Sequence, residues 1–202
     1  MPYTDCRDPG FRMETDRLIL RAWQDADLEA FAALNADREV MTYFPKTLGR
    51  DESAELIAKM RERTIVNGFS FMPVEEKESG RFVGFVGLNR PVFATPVGFE
   101  PCIEIGWRLA RWAWGKGYAS EAARAWLGFG FETIALEKIV AFTVVSNERS
   151  LKVMRRLGMR EGQVFDHPSV PMSSPHLRPH RLFSLSRDDW FAQTGKPLRP
   201  AS

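Results

Sequence analysis

Trp112-Ala113-Trp114-Gly115-Lys116-Gly117-Tyr118-Ala119-Ser120-Glu121-Ala122-Ala123 is the stretch on which the reading of this chain turns. A strand-like run from Cys102 to Leu109 precedes it. A helical pattern begins inside it, with Ala119, Ala122, Ala123, Trp126, Leu127 and Gly130 on one face. Two glycines one residue apart leave the backbone bare where that helix starts. Helix starts carry unpaired N–H groups and the positive end of the dipole, so their natural guest is an anion, most often a phosphate. A P-loop requires Ser or Thr after the lysine, and Gly117 follows Lys116 instead. A dinucleotide fingerprint requires Gly or Ala at position 120, which is Ser, and an acidic residue after the next strand, where Val145-Ser146 stands. A turn that only lets a helix pack close to a sheet is the plainer alternative.

Upstream, Arg17 to Trp23 alternates as a strand, and Asp25 is placed to cap a helix to about Asn35, with Leu28, Phe31, Ala32 and Leu34 inward. Met41 to Thr47 reads as a loop. A second helix runs from Arg50 or Asp51 to about Val66, with Leu56, Ile57, Met60 and Ile65 inward and Asn67-Gly68 as its stop. Phe69–Glu75 and Arg81–Asn89 flank the turn Glu78-Ser79-Gly80 and predict an antiparallel hairpin, followed by a loop over 90–100. Downstream, Ile139–Val145 is a buried strand, and Asn147 caps a helix ending at Gly158. Residues 164–180 read as a long loop, Arg181–Ser186 as a last strand. The segments 1–12 and 191–202 read as tails to a single domain over 13–190. Strands and helices in this order predict an α/β (α+β) fold with a mixed sheet.

Composition bounds the function without choosing it. The chain has 202 residues, 44% hydrophobic and 27% charged, with a net charge of +2, as in an ordinary soluble globular protein. That charge gives no case for nucleic acid, though it suits an anionic ligand. No apolar run reaches the roughly 18 residues that cross a membrane. Cys6 and Cys102 form neither a disulfide framework nor a metal pattern, which makes a cytoplasmic setting the default expectation.

Two further groups carry chemistry. Asn147 and Ser150 open the helix about thirty residues past the glycine turn; if the intervening strand is parallel to Cys102–Leu109, both helix starts face the same edge of the sheet. Asn147 also reads simply as an N-cap. On the strand before the turn, Ile103, Ile105, Trp107 and Leu109 share one face, leaving Cys102, Glu104, Gly106 and Arg108 on the other. A carboxylate there is costly unless paired or wet, so Glu104 borders a water-lined cleft or faces solvent near the strand end.

The succession Glu104-Ile105-Gly106-Trp107, Trp114-Gly115-Lys116-Gly117-Tyr118-Ala119-Ser120-Glu121-Ala122, Asn147-Glu148-Arg149-Ser150 and Leu157-Gly158-Met159 resembles the GCN5-related N-acetyltransferases. Within them it is most similar to the ribosomal-protein-alanine acetyltransferase group, as is the opening Glu14-Thr15-Asp16-Arg17-Leu18-Ile19-Leu20-Arg21. One departure stands out: the family's phosphate loop usually begins with Gln or Arg where this chain has Trp112, with Arg111 one residue out of place.

The resemblance implies a strongly twisted mixed sheet of about six to seven strands with about four helices. It implies acetyl-CoA as co-substrate and no metal. Pantetheine would pair with the strand edge at Trp107, Arg108 and Leu109 and be held by Asn147. The pyrophosphate would rest on the amides of Gly115, Lys116, Gly117, Tyr118, Ala119 and Ser120. Glu104 would be the general base, and Ser150 would serve the departing thiolate. The acceptor would be an amine, a protein N-terminus or a small molecule, entering past Met41–Thr47 and 164–180, with Tyr43, Phe44 and Trp23 as candidate lining. The enzyme would be a monomer or homodimer. The competing reading is a non-catalytic acyl-CoA-binding module of the same fold.

Overall fold

A computed structural model describes residues 5–91 and 102–197. The described strands are β1 (Arg12–Glu14), β2 (Leu18–Arg21), β3 (Phe71–Glu76), β4 (Phe82–Asn89), β5 (Glu104–Leu109), β6 (Lys138–Val144), β7 (Arg160–Asp166) and β8 (Pro179–Ser186). They form one sheet in the order β1-β2-β3-β4-β5-β6-β8-β7. All neighbours are antiparallel except β5 and β6, which are parallel. The helices are α1 (Asp27–Ala36), α2 (Arg50–Asn67), α3 (Tyr118–Gly128), α4 (Glu148–Arg156) and α5 (Arg187–Thr194).

The period-two alternation of the strands sorts the side chains between two cores. Leu18, Leu20, Met72, Val74, Ile103 and Ile105 face α3, α4 and α5, where Trp126, Leu127, Leu151, Met154 and Trp190 close the larger core. Phe85 faces the other way, with Phe71 and Phe82 beside it, and joins Trp23, Phe31, Leu34, Ile57 and Met60 under α1 and α2. Central β4 is buried along almost its whole length, which its run of Val, Phe, Gly and Leu requires.

The eight strands and five helices among the described residues exceed the expected six to seven and four. β7 starts ahead of the loop expected over 164–180 and takes in its first three residues. It is an exposed edge strand containing Gly162, with a register shift between Glu161 and Val164, so no buried face imposes an alternating pattern on its sequence. α5 continues past Trp190, where a polar tail was expected. Ser186 accepts from the Asp189 backbone N–H at 3.2 Å, and Trp190 and Phe191 are buried. The described part of the expected N-terminal tail belongs to the core: Cys6 and Phe11 are buried, and Phe11 packs on Trp126 and Phe129. Asp25 does not cap α1; Ala26 precedes the helix, and Asp27 accepts from the Gln24 N–H at 2.8 Å instead. Ile65, expected inward on α2, is exposed. The loop predicted over 90–100 lies almost wholly outside the described residues.

The parallel pair positions the site. β5 and β6 are in register only at Glu104 and Val140, with one further bond from the Val140 N–H to the Ile103 carbonyl. Beyond that point the strands part, while β5 stays paired to β4 as far as Leu109. The parting leaves one backbone edge of β5 without a strand neighbour.

Candidate active site

A cavity of about 520 Å³ opens where β5 and β6 separate, a size suited to a small molecule or cofactor arm. It is lined by Glu104, Trp107, Arg108, Leu109, Gly115, Gly117, Tyr118, Ala119, Ser120, Asn147 and Ser150. Eleven of the twelve residues singled out from sequence therefore meet in one place. Lys116 is the exception: its Nζ lies 3.7 Å from Glu76 and 4.7 Å from the Trp112 ring centroid, outside the lining.

Gly115 and Gly117 both adopt left-handed backbone, with φ of +76° and +84°, which explains glycine at each. A Cβ at Gly115 would meet nothing within 4 Å, so the surface there is open to a ligand. The Ser120 hydroxyl, in the first turn of α3, is buried without a hydrogen-bond partner among the described residues. Unpaired helix-start amides and an orphaned hydroxyl facing a cavity fit an anionic oxygen group. Arg149, Lys152 and Arg156 of α4 add positive charge to the same lining.

The turn is tied to the β1–β2 connection by contacts the sequence did not reveal. Glu121 accepts from the Thr15 hydroxyl at 2.6 Å, the Arg17 N–H at 2.9 Å and Arg17 Nε at 2.7 Å. Arg17 Nη1 also donates to the Lys116 carbonyl at 2.9 Å.

At the start of α4, Ser150 Oγ accepts from Asn147 Nδ2 at 3.1 Å and from Trp107 Nε1 at 3.3 Å. With both lone pairs engaged, the hydroxyl proton is left to donate into the cavity. Asn147 is committed to internal bonds: Nδ2 also donates to Thr143 Oγ1 at 2.9 Å, and Oδ1 accepts from the Ser150 N–H at 3.3 Å. It caps the helix as predicted and also orients Ser150.

Glu104 lies on the opposite face of β5 from Trp107. Its Oε1 accepts from Asn89 Nδ2 at 2.7 Å, and Asn89 Oδ1 accepts from Arg63 Nη1 at 3.3 Å. Burial pushes the Glu104 carboxyl up to about 7, against the opposing pull of the Asn89 hydrogen bond and Arg63. A carboxylate with that affinity exchanges protons near neutral pH. Phe142, His167 and His180 line the same cavity, the two imidazole centroids 4.7 Å apart. Burial and the neighbouring His180 bring His167 down to about 4, so it is uncharged at neutral pH.

A split parallel pair of strands, a glycine-rich helix start, a buried carboxylate and a serine hydroxyl thus meet at one cavity. The acetyltransferase (GNAT) domain model matches residues 17–160, and the chain belongs to that family as an N-acetyltransferase. An uncharacterised N-acetyltransferase of Bacillus subtilis, YnaD, is 32% identical over 151 residues, covering 75% of this chain and 84% of the relative. The alanine N-acetyltransferase of ribosomal protein uS5 from Escherichia coli is 26% identical over 193 residues, covering 90% and 94%. Among solved structures, a GNAT-family acetyltransferase from Bacillus anthracis superposes with a TM-score of 0.73 at 26% identity, covering 88% of this chain and 99% of the other. No described helix is long and apolar enough to cross a membrane, and no described group of three or more His, Cys, Asp or Glu is arranged to hold a metal.

Proposed function

We propose that this enzyme transfers the acetyl group of acetyl-CoA directly to a primary amine, on a protein N-terminus or a small molecule. One observation carries the reading: the cavity at the β5–β6 split is lined both by a carboxylate that burial pushes up to about 7 and by a hydroxyl whose oxygen accepts from Trp107 and Asn147.

Acetyl-CoA, when bound, supplies a thioester whose carbonyl carbon is attacked by the amine. The chain's residues do the rest. The edge of β5 at Trp107, Arg108 and Leu109 offers backbone groups to the pantetheine amides. The first turn of α3, with Gly115, Gly117, Tyr118, Ala119 and Ser120, receives the pyrophosphate on its N–H groups. Lys116 contributes its backbone, its side chain being turned toward Glu76. Glu104 takes the proton that an ammonium must lose before nitrogen can attack. Ser150 donates a hydrogen bond to the sulfur as the carbon–sulfur bond breaks, and Asn147 and Trp107 hold its oxygen for that purpose.

The test is thiol release from acetyl-CoA over an amine panel that includes N-terminal peptides. Release that depends on an amine supports the reading. Tight CoA binding with no release on any acceptor would favour a binding module.

A further inference from the structure

Arg108 projects from the same face of β5 as Glu104, away from Ser150, and the transfer chemistry leaves its side chain unused. Its Nη1 donates to Asn35 Oδ1 at 2.6 Å, and its Cζ lies 4.1 Å from the Phe44 ring centroid and 5.3 Å from that of Phe85. Nε is buried without a partner among the described residues. Among the described residues, no carboxylate lies within ion-pair distance of Arg108. Of the carboxylates lining the cavity, Glu104 sits four residues away along the strand, and Glu39 is paired with Arg111.

The guanidinium is held in place by a buried relay. Asn35 is fully buried, and its Nδ2 donates to Ser53 Oγ at 3.0 Å. Ser53 in turn donates to the Gly49 carbonyl at 2.8 Å. That relay fixes the Asn35 amide with its oxygen toward Arg108. Two aromatic faces and one neutral amide are poor compensation for a desolvated cation, which ordinarily takes a carboxylate or phosphate. The planar fork suits a carboxylate with both oxygens engaged. Burial brings Arg108 down to about 10, so it stays charged at neutral pH.

We infer that Arg108, held by Asn35 and flanked by Phe44 and Phe85, is a specificity residue that binds a carboxylate carried by the amine acceptor. The inference rests on the transferase reading, in which Glu104 marks where the amine stands. Four residues of extended chain separate the two Cα atoms by about 13 Å. The favoured acceptor thus carries its amine and its carboxylate several bonds apart, as in an ω-amino acid or a peptide with an acidic side chain near its N-terminus. A free α-amino acid is too short, and a polyamine would set a second ammonium against Arg108.

The experiment compares matched acceptors with the full-length enzyme and acetyl-CoA: aminohexanoate against its carboxamide, and a short peptide bearing Glu against the same peptide bearing Gln. Wild type should favour the carboxylate member about tenfold or more in kcat/KM, through KM. Arg108→Gln should bring that ratio close to one, and Arg108→Lys should restore part of it. Equal use of both members by wild type, or an equal loss on both in Arg108→Gln, overturns the inference. The wild-type ratio decides the matter even if the variants fold poorly. No release with any amine would overturn the transferase reading first, a result distinct from release without preference.

Discussion

On the cavity wall proposed for the cofactor, the working groups are mostly backbone: the free edge of β5 and the first turn of α3, shaped by Gly115 and Gly117. On the wall proposed for the acceptor they are single side chains drawn from distant elements. Glu104 and Arg108 come from β5 and Phe44 from the loop after α1, while buried Asn35 of α1 holds Arg108 from behind. A backbone wall holds one ligand type whatever the side chains around it become. A side-chain wall can be re-specified one residue at a time. One fold can thus keep its donor while changing its acceptor, and substitutions on the two walls should fail in different ways.

The largest effect is expected at Glu104. Glu104→Gln should lower kcat by about 10²–10⁴-fold, the usual worth of a general base, with CoA affinity nearly unchanged. Equal losses in kcat and CoA affinity would erase the distinction between the walls. The wild-type profile should also fall about tenfold per pH unit below about 7, because the base is lost when the carboxylate takes its proton. His167 is uncharged through that range and does not produce the limb. The same burial has a stability signature. The folded state binds the Glu104 proton more tightly than the unfolded chain does. The stability from this group is therefore full below the ordinary carboxylate range and is lost as pH rises through about 7. Glu104→Gln should match wild type near pH 4 and exceed it at pH 8, by up to about 3 kcal/mol in denaturant unfolding.

The same difference explains what could be read from the chain beforehand. The glycine turn, the Asn147–Ser150 helix start and the Glu104 strand are short-range patterns, and the structure gathers them at one cavity. The Arg63–Asn89–Glu104 and Arg108–Asn35–Ser53 chains join residues whose separation in sequence follows no period, so no local pattern announces them. Trp107 shows both sides of this. Its face of β5 was legible from alternation, but its bond to Ser150, on an element 43 positions away, was not. β7 escaped for a related reason: an exposed edge writes no burial pattern into its sequence.

A middle-sized effect is expected on the cofactor wall. Gly117→Val places a β-branched residue at φ +84°, where only glycine is at ease, with its Cβ 3.4 Å from Arg17 Nη2. CoA affinity measured by calorimetry should fall about 10–100-fold, by the same factor whichever acceptor is present. An acceptor-dependent loss would mean that the turn serves both ligands. Ser150→Ala should slow turnover about tenfold with unchanged CoA affinity, because one hydrogen bond to the leaving sulfur is removed and the fold is not. Wild-type rates would leave Ser150 as a helix-start residue only.

The smallest effect tests whether the cofactor wall needs its remote tether. Glu121 receives three hydrogen bonds from Thr15 and Arg17, which join the α3 start to the beginning of β2. Glu121→Gln keeps the size of the side chain and can still accept from the Arg17 N–H, but it loses the charge that Arg17 pairs with. Arg17 is half exposed, so the ion pair itself is worth little in water. The expected cost is about 1 kcal/mol in unfolding and about threefold in CoA affinity, with the acceptor preference unmoved. If CoA affinity holds while stability drops, the tether supports the fold and the glycine turn keeps its shape unaided. If both hold, backbone conformation alone sets that wall, and the contrast with the side-chain wall becomes sharper.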